Sequence, residues 1–396
     1  MNPFVLTWSR KRVLKRGRLT SCLILIALVM APLVCALIFS DSMMAGITSK
    51  YIYLSDGHLQ VNWNGGRDLS DFDPEQYGSM LYSCDEVTGG YALMYSATGT
   101  TNIMVKGVGE GYFNSRRMEQ VTITRAETDV ASTSNVKGIM ISRSTAEELK
   151  VGIGDRVALM IVPDDVDKVL RPVLCRIDGI FWSGYDQLDS LLCFIDLDYA
   201  GTLYAAPGST CLELLVMPEY MEKLDDVVEA LGSGYDITRW DQHNVSVYEN
   251  FVTSRQMILI ILLLVVVVAA FYTASVAQQM IQDDMQDIAI TKLIGASDSL
   301  VRRSAFLSVY TVTFIGMLLG IGLGLIIGLN LGPILTWLSS MGLKSLSFYL
   351  LDFDITVPWL QILLISASLL VISYVSIQIS LVKTRRITPI RLFTEL

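Results

Sequence analysis

Apolar residues gather in four long runs instead of spreading evenly along the chain. The runs cover Leu19 to Phe39, Gln256 to Gln278, Ala305 to Asn330 and Val357 to Val382, and none holds a Lys, Arg, Asp or Glu. A bilayer core of roughly 30 Å needs about 20 apolar residues of helix, which each run supplies. Four transmembrane helices are therefore predicted, the first kinked where Pro32 removes a backbone hydrogen bond. Between the first two runs the pattern changes. Period-two alternation appears at Leu59, Val61 and Trp63, at Val157, Leu159 and Ile161, and at Val173, Cys175 and Ile177, as half-buried strands require. Ser144 with Glu147 predicts a capping box ahead of Leu149. Gly152 and Gly154-Asp155 then turn the chain into the next strand, and a second helix is predicted over Glu219 to Leu231.

The fold class that follows is a four-helix membrane bundle with a large extracytoplasmic mixed α/β domain. Its divisions are a cytoplasmic amphipathic basic segment at 1–18, transmembrane helices at 19–40, 256–278, 305–330 and 357–382, the α/β domain at 41–254, a cytoplasmic helix and loop at 279–304, an extracytoplasmic loop at 331–356, and a cytoplasmic tail at 383–396. The apolar first run exceeds the usual core of about 7 to 15 residues in a cleaved signal, so it is expected to stay as an anchor.

Charge sets the orientation, because cytoplasmic loops near a membrane carry the excess of Lys and Arg. Arg10, Lys11, Arg12, Lys15, Arg16 and Arg18 precede the first run, Lys292, Arg302 and Arg303 lie between the second and third, and Lys383, Arg385, Arg386 and Arg391 follow the fourth. Thirteen basic residues against five acidic ones leave these segments at +8, so with −9 for the whole chain the remainder carries −17. Both termini are expected in the cytoplasm. The negative outer domain argues against a nucleic-acid partner, since phosphate binding needs a basic surface.

Candidate chemistry is sparse. The sequence has no G-x-x-x-x-G-K-[ST] loop, G-x-S-x-G elbow or H-E-x-x-H helix. Gly107-Val108-Gly109-Glu110-Gly111 reads as a turn, and His58 and His243 have no nucleophile nearby in sequence. No enzyme, metal or cofactor site is expected in the chain itself. Cys84, Cys175, Cys193 and Cys211 fall in the outer domain, where an oxidising compartment permits disulfides whose pairing the sequence leaves open. In the third run, Gly316, Gly320, Gly324 and Gly328 recur every four residues. That spacing keeps them on one stripe where backbones can approach. The stripe suits static packing within the chain, a sliding face, or docking of a second subunit.

The most informative segment follows the second run. Ile281, Met285, Ile288 and the stem of Lys292 share one face of a short helix that Gly295 can end. The stretch Asp287-Ile288-Ala289-Ile290-Thr291-Lys292-Leu293-Ile294-Gly295-Ala296-Ser297 resembles the E-I-A/G-I-L-R/K-x-x-G-A-S signature of FtsX-like, MacB-type ABC permeases. Ser55-Asp56-Gly57-His58-Leu59-Gln60-Val61, Gly138 to Ser142 with Ala146 to Val157, Arg176 to Asp186, and Thr388 to Leu392 are similar to stretches of the LolC/LolE lipoprotein-release branch.

The resemblance implies a MacB-like outer domain and a coupling helix that seats in an ATPase, carried here by Ile281, Met285, Asp287, Ile288, Lys292, Gly295 and Ala296. Asp287 stands where the family has Glu, one methylene longer. It implies ATP and Mg bound in a separate ABC ATPase, a second permease subunit, identical or related, and an inner-membrane location in contact with lipids. The expected function is extraction or export of a lipoprotein or other amphiphile from the outer leaflet. The alternative is an FtsX-like mechanotransmitter that regulates an extracytoplasmic partner such as a cell-wall hydrolase. A membrane-anchored enzyme or adhesin is a third class, and the missing catalytic motifs weigh against the enzyme.

Overall fold

The computed structural model describes residues 17–62, 69–125, 136–161, 172–204, 210–232, 235–283, 297–341 and 355–383. Four long helices coincide with the four apolar runs: Gly17–Lys50, Val245–Asp283, Asp298–Leu329 and Trp359–Lys383. They share one core, in which Ile26, Met30, Val34 and Ile38 of the first helix meet Val266 and Ala269 of the second, Val309 and Val312 of the third, and Leu369 and Ile377 of the fourth. Several hydroxyls inside these helices turn back on the helix itself. Ser308 donates to the Ser304 carbonyl, Thr313 to Val309 and Ser366 to Ile362, which satisfies them without solvent. Ser380 instead donates across to the Ala274 carbonyl at 3.0 Å and ties the fourth helix to the second.

The helices outrun their apolar stretches. The first is expected to end at 40 and the second to start at 256, yet they extend to Lys50 and back to Val245. Hydropathy marks the apolar part of a helix and stays silent on polar turns that continue it. The first helix then widens into a π-helical turn, Tyr51–Asp56. Pro32 lies inside the first helix, which continues helical on both sides of it. The expected loop at 331–356 contains a helix, Leu331–Ser340. Its Pro333 sits in the first turn, where no backbone donor is needed.

The described residues divide into two compact units: the first holds the long helices up to Met43 and from Phe251 onward, and the second, Met44–Asn250, takes in the end of the first long helix and the first turns of the second. The second unit carries ten described strands: β1 (Leu59–Asn62), β2 (Leu81–Tyr95), β3 (Thr100–Val108), β4 (Thr122–Arg125), β5 (Lys137–Ser142), β6 (Arg156–Ile161), β7 (Pro172–Trp182), β8 (Leu192–Asp196), β9 (Thr210–Val216) and β10 (Asp236–Arg239). Their order is β10-β1-β9-β2-β3-β8-β5-β7-β4, and β6 bridges β2 and β7. That bridge closes β2, β3, β8, β5, β7 and β6 into a ring.

Strand β2 makes both halves of the unit. Its early residues pair with β9, and Ala92–Tyr95 pair with β6. The ring encloses Met94, Ile103, Val105, Ile139, Ile141, Leu159, Cys175, Ile177 and Cys193. A second core holds Leu59, Val61, Leu212, Leu214, Val216 and Val227. Alternate strand residues reach each core, as the period-two pattern requires.

Local details refine the sequence reading. The helix Arg143–Leu149 is capped by Ser142, whose hydroxyl accepts from the Thr145 N–H. Ser144 lies one residue inside that helix and bonds Asp186. The helix expected over Glu219 to Leu231 is a 3-10 turn, Pro218–Lys223, followed by an α-helix from Leu224. The run from Gly107 to Gly111 ends β3 and turns the chain. All six cysteines are free thiols, and Cys175 and Cys193 are buried in the ring core.

Candidate functional site

The glycine stripe of the third helix meets the first helix. A methyl built on Gly316 would lie 2.9 Å from the Leu23 carbonyl oxygen, one on Gly320 2.5 Å from Met30 Cβ, and one on Gly324 2.8 Å from the Ala31 carbonyl oxygen. At Gly328 the nearest atom is Ile38 Cδ1, also at 2.5 Å. Partners on the first helix advance four residues for each four on the third, so the two helices run parallel and in step. Gly322, off the stripe, has nothing within 4 Å. Missing side chains thus set the close approach of these two helices, and this chain's own first helix fills the stripe.

At the end of the bundle where the first helix carries Asp41, three helices are tied by polar contacts. Arg255 of the second helix pairs with Asp41 at 3.1 Å, and Gln361 of the fourth donates to the same carboxylate oxygen at 3.4 Å. Ser42 accepts from the Thr356 N–H at 2.9 Å.

The coupling segment stands apart from this geometry. Ile281 lies in the last turn of the second helix, with its side chain outside the described residues. Met285, Asp287, Ile288, Lys292, Gly295 and Ala296 also lie outside the described residues.

Several stretches that drew the family resemblance have structural duties. Gly57 has φ +68°, and a methyl there would sit 3.1 Å from the Leu214 carbonyl oxygen, so only glycine fits. His58 is buried and its Nδ1 accepts from the Val216 N–H at 3.2 Å. Burial, aided by the positive charges of Arg116 and Arg117, pushes its pKa down to about 4. Buried Asp189 accepts from the Ser183 N–H at 3.0 Å. Burial outweighs those bonds and raises its pKa to about 6.

A buried charge cluster escaped the sequence reading. Lys106 on β3, Glu213 on β9 and Arg117 on the short helix Ser115–Glu119 are at most 2% exposed at their side chains. Lys106 Nζ lies 2.6 Å from Glu213 Oε1, and Arg117 pairs with Asp85 of β2 while its Nη2 stands 3.6 Å from Glu213 Oε2. Tyr112 joins them: its hydroxyl receives a bond from Lys106 at 2.7 Å and donates to Glu213 at 3.2 Å. Burial opposes the Lys106 charge, but the neighbouring Glu213 carboxylate and Tyr112 hydroxyl outweigh it and raise its pKa. The available signal was one acid inside the apolar run Leu212-Glu213-Leu214-Leu215-Val216.

Among the described residues no group of His, Cys, Asp and Glu could hold a metal ion.

Comparison with known proteins bears on this geometry. Residues 259–389 match the family described as FtsX-like permease C-terminal. The chain is 22% identical over 228 residues to the lipoprotein-releasing system transmembrane protein LolC of Xylella fastidiosa strain Temecula1, which covers 55% of this chain and 53% of that protein. LolC of strain 9a5c gives the same identity over 229 residues and the same shares. The chain spans about half the length of the curated relatives it matches.

Two solved domains are also similar. The extracellular domain of the noncanonic ABC-type transporter YknZ from Gram-positive bacteria has a TM-score of 0.28 at 12% identity, covering 46% of this chain and 100% of that one. A domain of a permease protein from Porphyromonas gingivalis has a TM-score of 0.25 at 13% identity, covering 45% of this chain and 84% of that one. Scores this low carry no statement about the fold. The resemblance read from the sequence rests instead on the family match: residues 259–389 are similar to the FtsX-like permease C-terminal family, and about half of the chain is distantly similar to LolC.

Proposed function

We propose that this chain is the permease subunit of an ABC transporter, coupling ATP hydrolysis in a separate ATPase to extraction or export of a lipoprotein or other amphiphile from the outer leaflet of the cytoplasmic membrane. The observation that carries this reading is the FtsX-like match over 259–389, which takes in the third and fourth long helices and most of the second. The amphiphile comes from the distant similarity to LolC.

Physical chemistry supports placing the four long helices in a bilayer. Trp359–Leu381, the shortest candidate span, has 23 residues, about 35 Å of helix against a core of roughly 30 Å. Leu264, Val268, Phe271, Leu318, Leu323, Ile326, Leu360 and Leu363 are exposed on these helices. Each would gain about 1.5–3 kcal/mol by leaving water. Lipid supplies that apolar surroundings.

In this reading both termini and the 279–304 segment are cytoplasmic, and the α/β unit is extracytoplasmic and of MacB-like type. ATP and Mg sit in the partner ATPase. A second permease subunit, a copy or a relative, completes the assembly. The 281–296 segment takes up movement of the ATPase, with Met285 and Ile288 in its groove and Asp287, Lys292, Gly295 and Ala296 shaping the contact.

The test is co-purification from membranes, with mass spectrometry of partner proteins and retained lipidated proteins. Met285→Asp or Ile288→Asp buries an unpaired carboxylate, which costs several kcal/mol, and should abolish ATPase recruitment and permease-stimulated ATP turnover. Gln282→Asp, at an exposed position of the second helix, should leave both intact. Full recruitment and turnover in Met285→Asp and Ile288→Asp would refute the coupling role, and absence of any ATPase from the wild-type complex would refute the permease reading.

A further inference from the structure

The π-helical turn Tyr51–Asp56 ends the first long helix with backbone carbonyls that have no partner in a next turn. Two buried cations take them. Lys106 Nζ donates to the Leu54 carbonyl at 3.0 Å and the Ser55 carbonyl at 2.6 Å. Arg117 Nε donates to the Tyr53 carbonyl at 2.9 Å, while its Nη1 donates to the Tyr112 carbonyl at 2.9 Å. Glu213 and Asp85 hold those cations from adjacent strands, with residues 85 and 213 directly paired across β2 and β9. One turn earlier, buried Lys50 donates to the Gln120 carbonyl at 2.8 Å. At the last residue of the turn, the Asp56 carboxylate accepts from Asn244 at 2.6 Å and from Gln60 at 3.3 Å. Asn244 immediately precedes the second long helix.

Cations at a helix C-terminus are favoured by the helix dipole, and charge-assisted bonds are short and directional. Stability alone does not require such a cluster, because well-packed apolar residues replace buried ion pairs at little or no cost. An apolar contact would also let the helix end slide or turn on the sheet. Bonds from two side chains, Lys106 and Arg117, onto the carbonyls of residues 53, 54 and 55 fix both its position and its rotation.

We infer that Lys106, Arg117 and Glu213 form a joint that locks the end of the first long helix to β2, β3 and β9, and that they are positioning residues through which displacement of that helix is passed to the α/β unit. This rests on the permease reading above. The joint acts on the helix end through backbone atoms, so its effect depends on these side chains and not on the residues of the turn.

The experiment has two arms. In the first, spin labels are introduced as unnatural amino acids at exposed Ala45 and Glu86, which leaves the native thiols untouched. The distance distribution in the full chain should be narrow, and at least twofold wider in the paired variant Lys106→Met with Glu213→Met. That pair removes one charge of each sign and leaves Arg117 with Asp85. Arg117→Lys keeps the charge, loses the fork, and should widen the distribution by a smaller factor; it decides alone if the paired variant does not fold. Unchanged widths in folded variants overturn the joint. In the second arm, the complex with its cognate ATPase is assayed for lipidated protein released per ATP hydrolysed. This ratio should fall at least tenfold in Arg117→Lys while assembly and basal hydrolysis persist, and an unchanged ratio overturns the transmission role. If the unmodified chain recruits no ATPase, the permease reading falls and transmission with it, whereas the distance widths still decide whether the cluster locks the helix end.

Discussion

Gly320→Ala adds one methyl group where the third long helix meets the first. Its carbon would lie 2.5 Å from Met30 Cβ, 3.0 Å from the Ala27 carbonyl oxygen and 3.1 Å from Ala27 Cα. Carbon atoms rest at about 3.5–4.0 Å. Two of the three neighbours are backbone atoms, so no rotamer change relieves the overlap and the helices must part locally. Overpacking of this kind costs about 1–3 kcal/mol. Against it stands the helix propensity of alanine, worth up to about 1 kcal/mol over glycine.

Gly322→Ala separates the two effects. It lies two residues away on the same helix with nothing within 4 Å, so it carries the propensity gain without the clash. The stability difference between the two variants therefore reads the contact alone, about 1–3 kcal/mol. Gly324→Ala should resemble Gly320→Ala, because the Ala31 carbonyl oxygen would be 2.8 Å from its methyl. Gly328→Ala should be milder, since its closest neighbour is the movable end of Ile38. Reversible unfolding in mixed micelles, followed by tryptophan fluorescence, measures the series. Equal stability of Gly320→Ala and Gly322→Ala would show that the stripe does not pack on the first helix.

Two further predictions concern pH and the α/β unit. The folded-state pKa of His58, lowered from 6.5 to about 4, means the unfolded chain takes up the proton first, so its contribution is complete above pH 6.5 and is lost as pH falls toward 4. The loss is about 3 kcal/mol, and His58→Gln should flatten that part of the stability curve; an unchanged slope from pH 7 to 4 refutes the assignment. Asp189 has the opposite sign: its pKa is raised from 3.8 to about 6, so its contribution is complete below pH 3.8 and is lost as pH rises through 6. Asp189→Asn, which keeps an acceptor for the Ser183 N–H, should exceed the parent chain in stability by about 3 kcal/mol at pH 7 and match it near pH 4; equal stability at pH 7 refutes it.

What the sequence discloses here depends on whether a residue's environment repeats along the chain. The four long helices were legible because each apolar run is long and free of charge, so one environment governs twenty or more neighbours. Strands β6 and β7 were legible for the same reason at period two. Strand β2 was not. Its run Leu81 to Tyr95 mixes Asp85, Glu86, Gly89 and Gly90 with apolar residues, because its early part faces β9 and its late part closes the ring on β6. Gly89 breaks the alternation for a local cause: a methyl there would sit 2.1 Å from the Val105 carbonyl oxygen.

Sites made by residues distant in sequence leave still less trace. Lys106 and Glu213 are 107 positions apart and each reads, in its own strand, as one charged residue beside small or apolar ones. Only the strand order β9-β2-β3 brings them within 2.6 Å, and only their joint burial turns two solvated charges into a fixed support. The glycine stripe differs because half of its contact is written locally. Spacing by four announces that some backbone comes close, but not which one. Matched partners on the first helix, Leu23 and Ile26 at 316, Ala27 and Met30 at 320, Ala31 and Val34 at 324, and Ile38 at 328, supply the missing half. A small residue at each crossing on one helix and Ala27 and Ala31 on the other let the backbones approach, and in a helix pair without a hydrophobic driving force that approach is what holds the pair together.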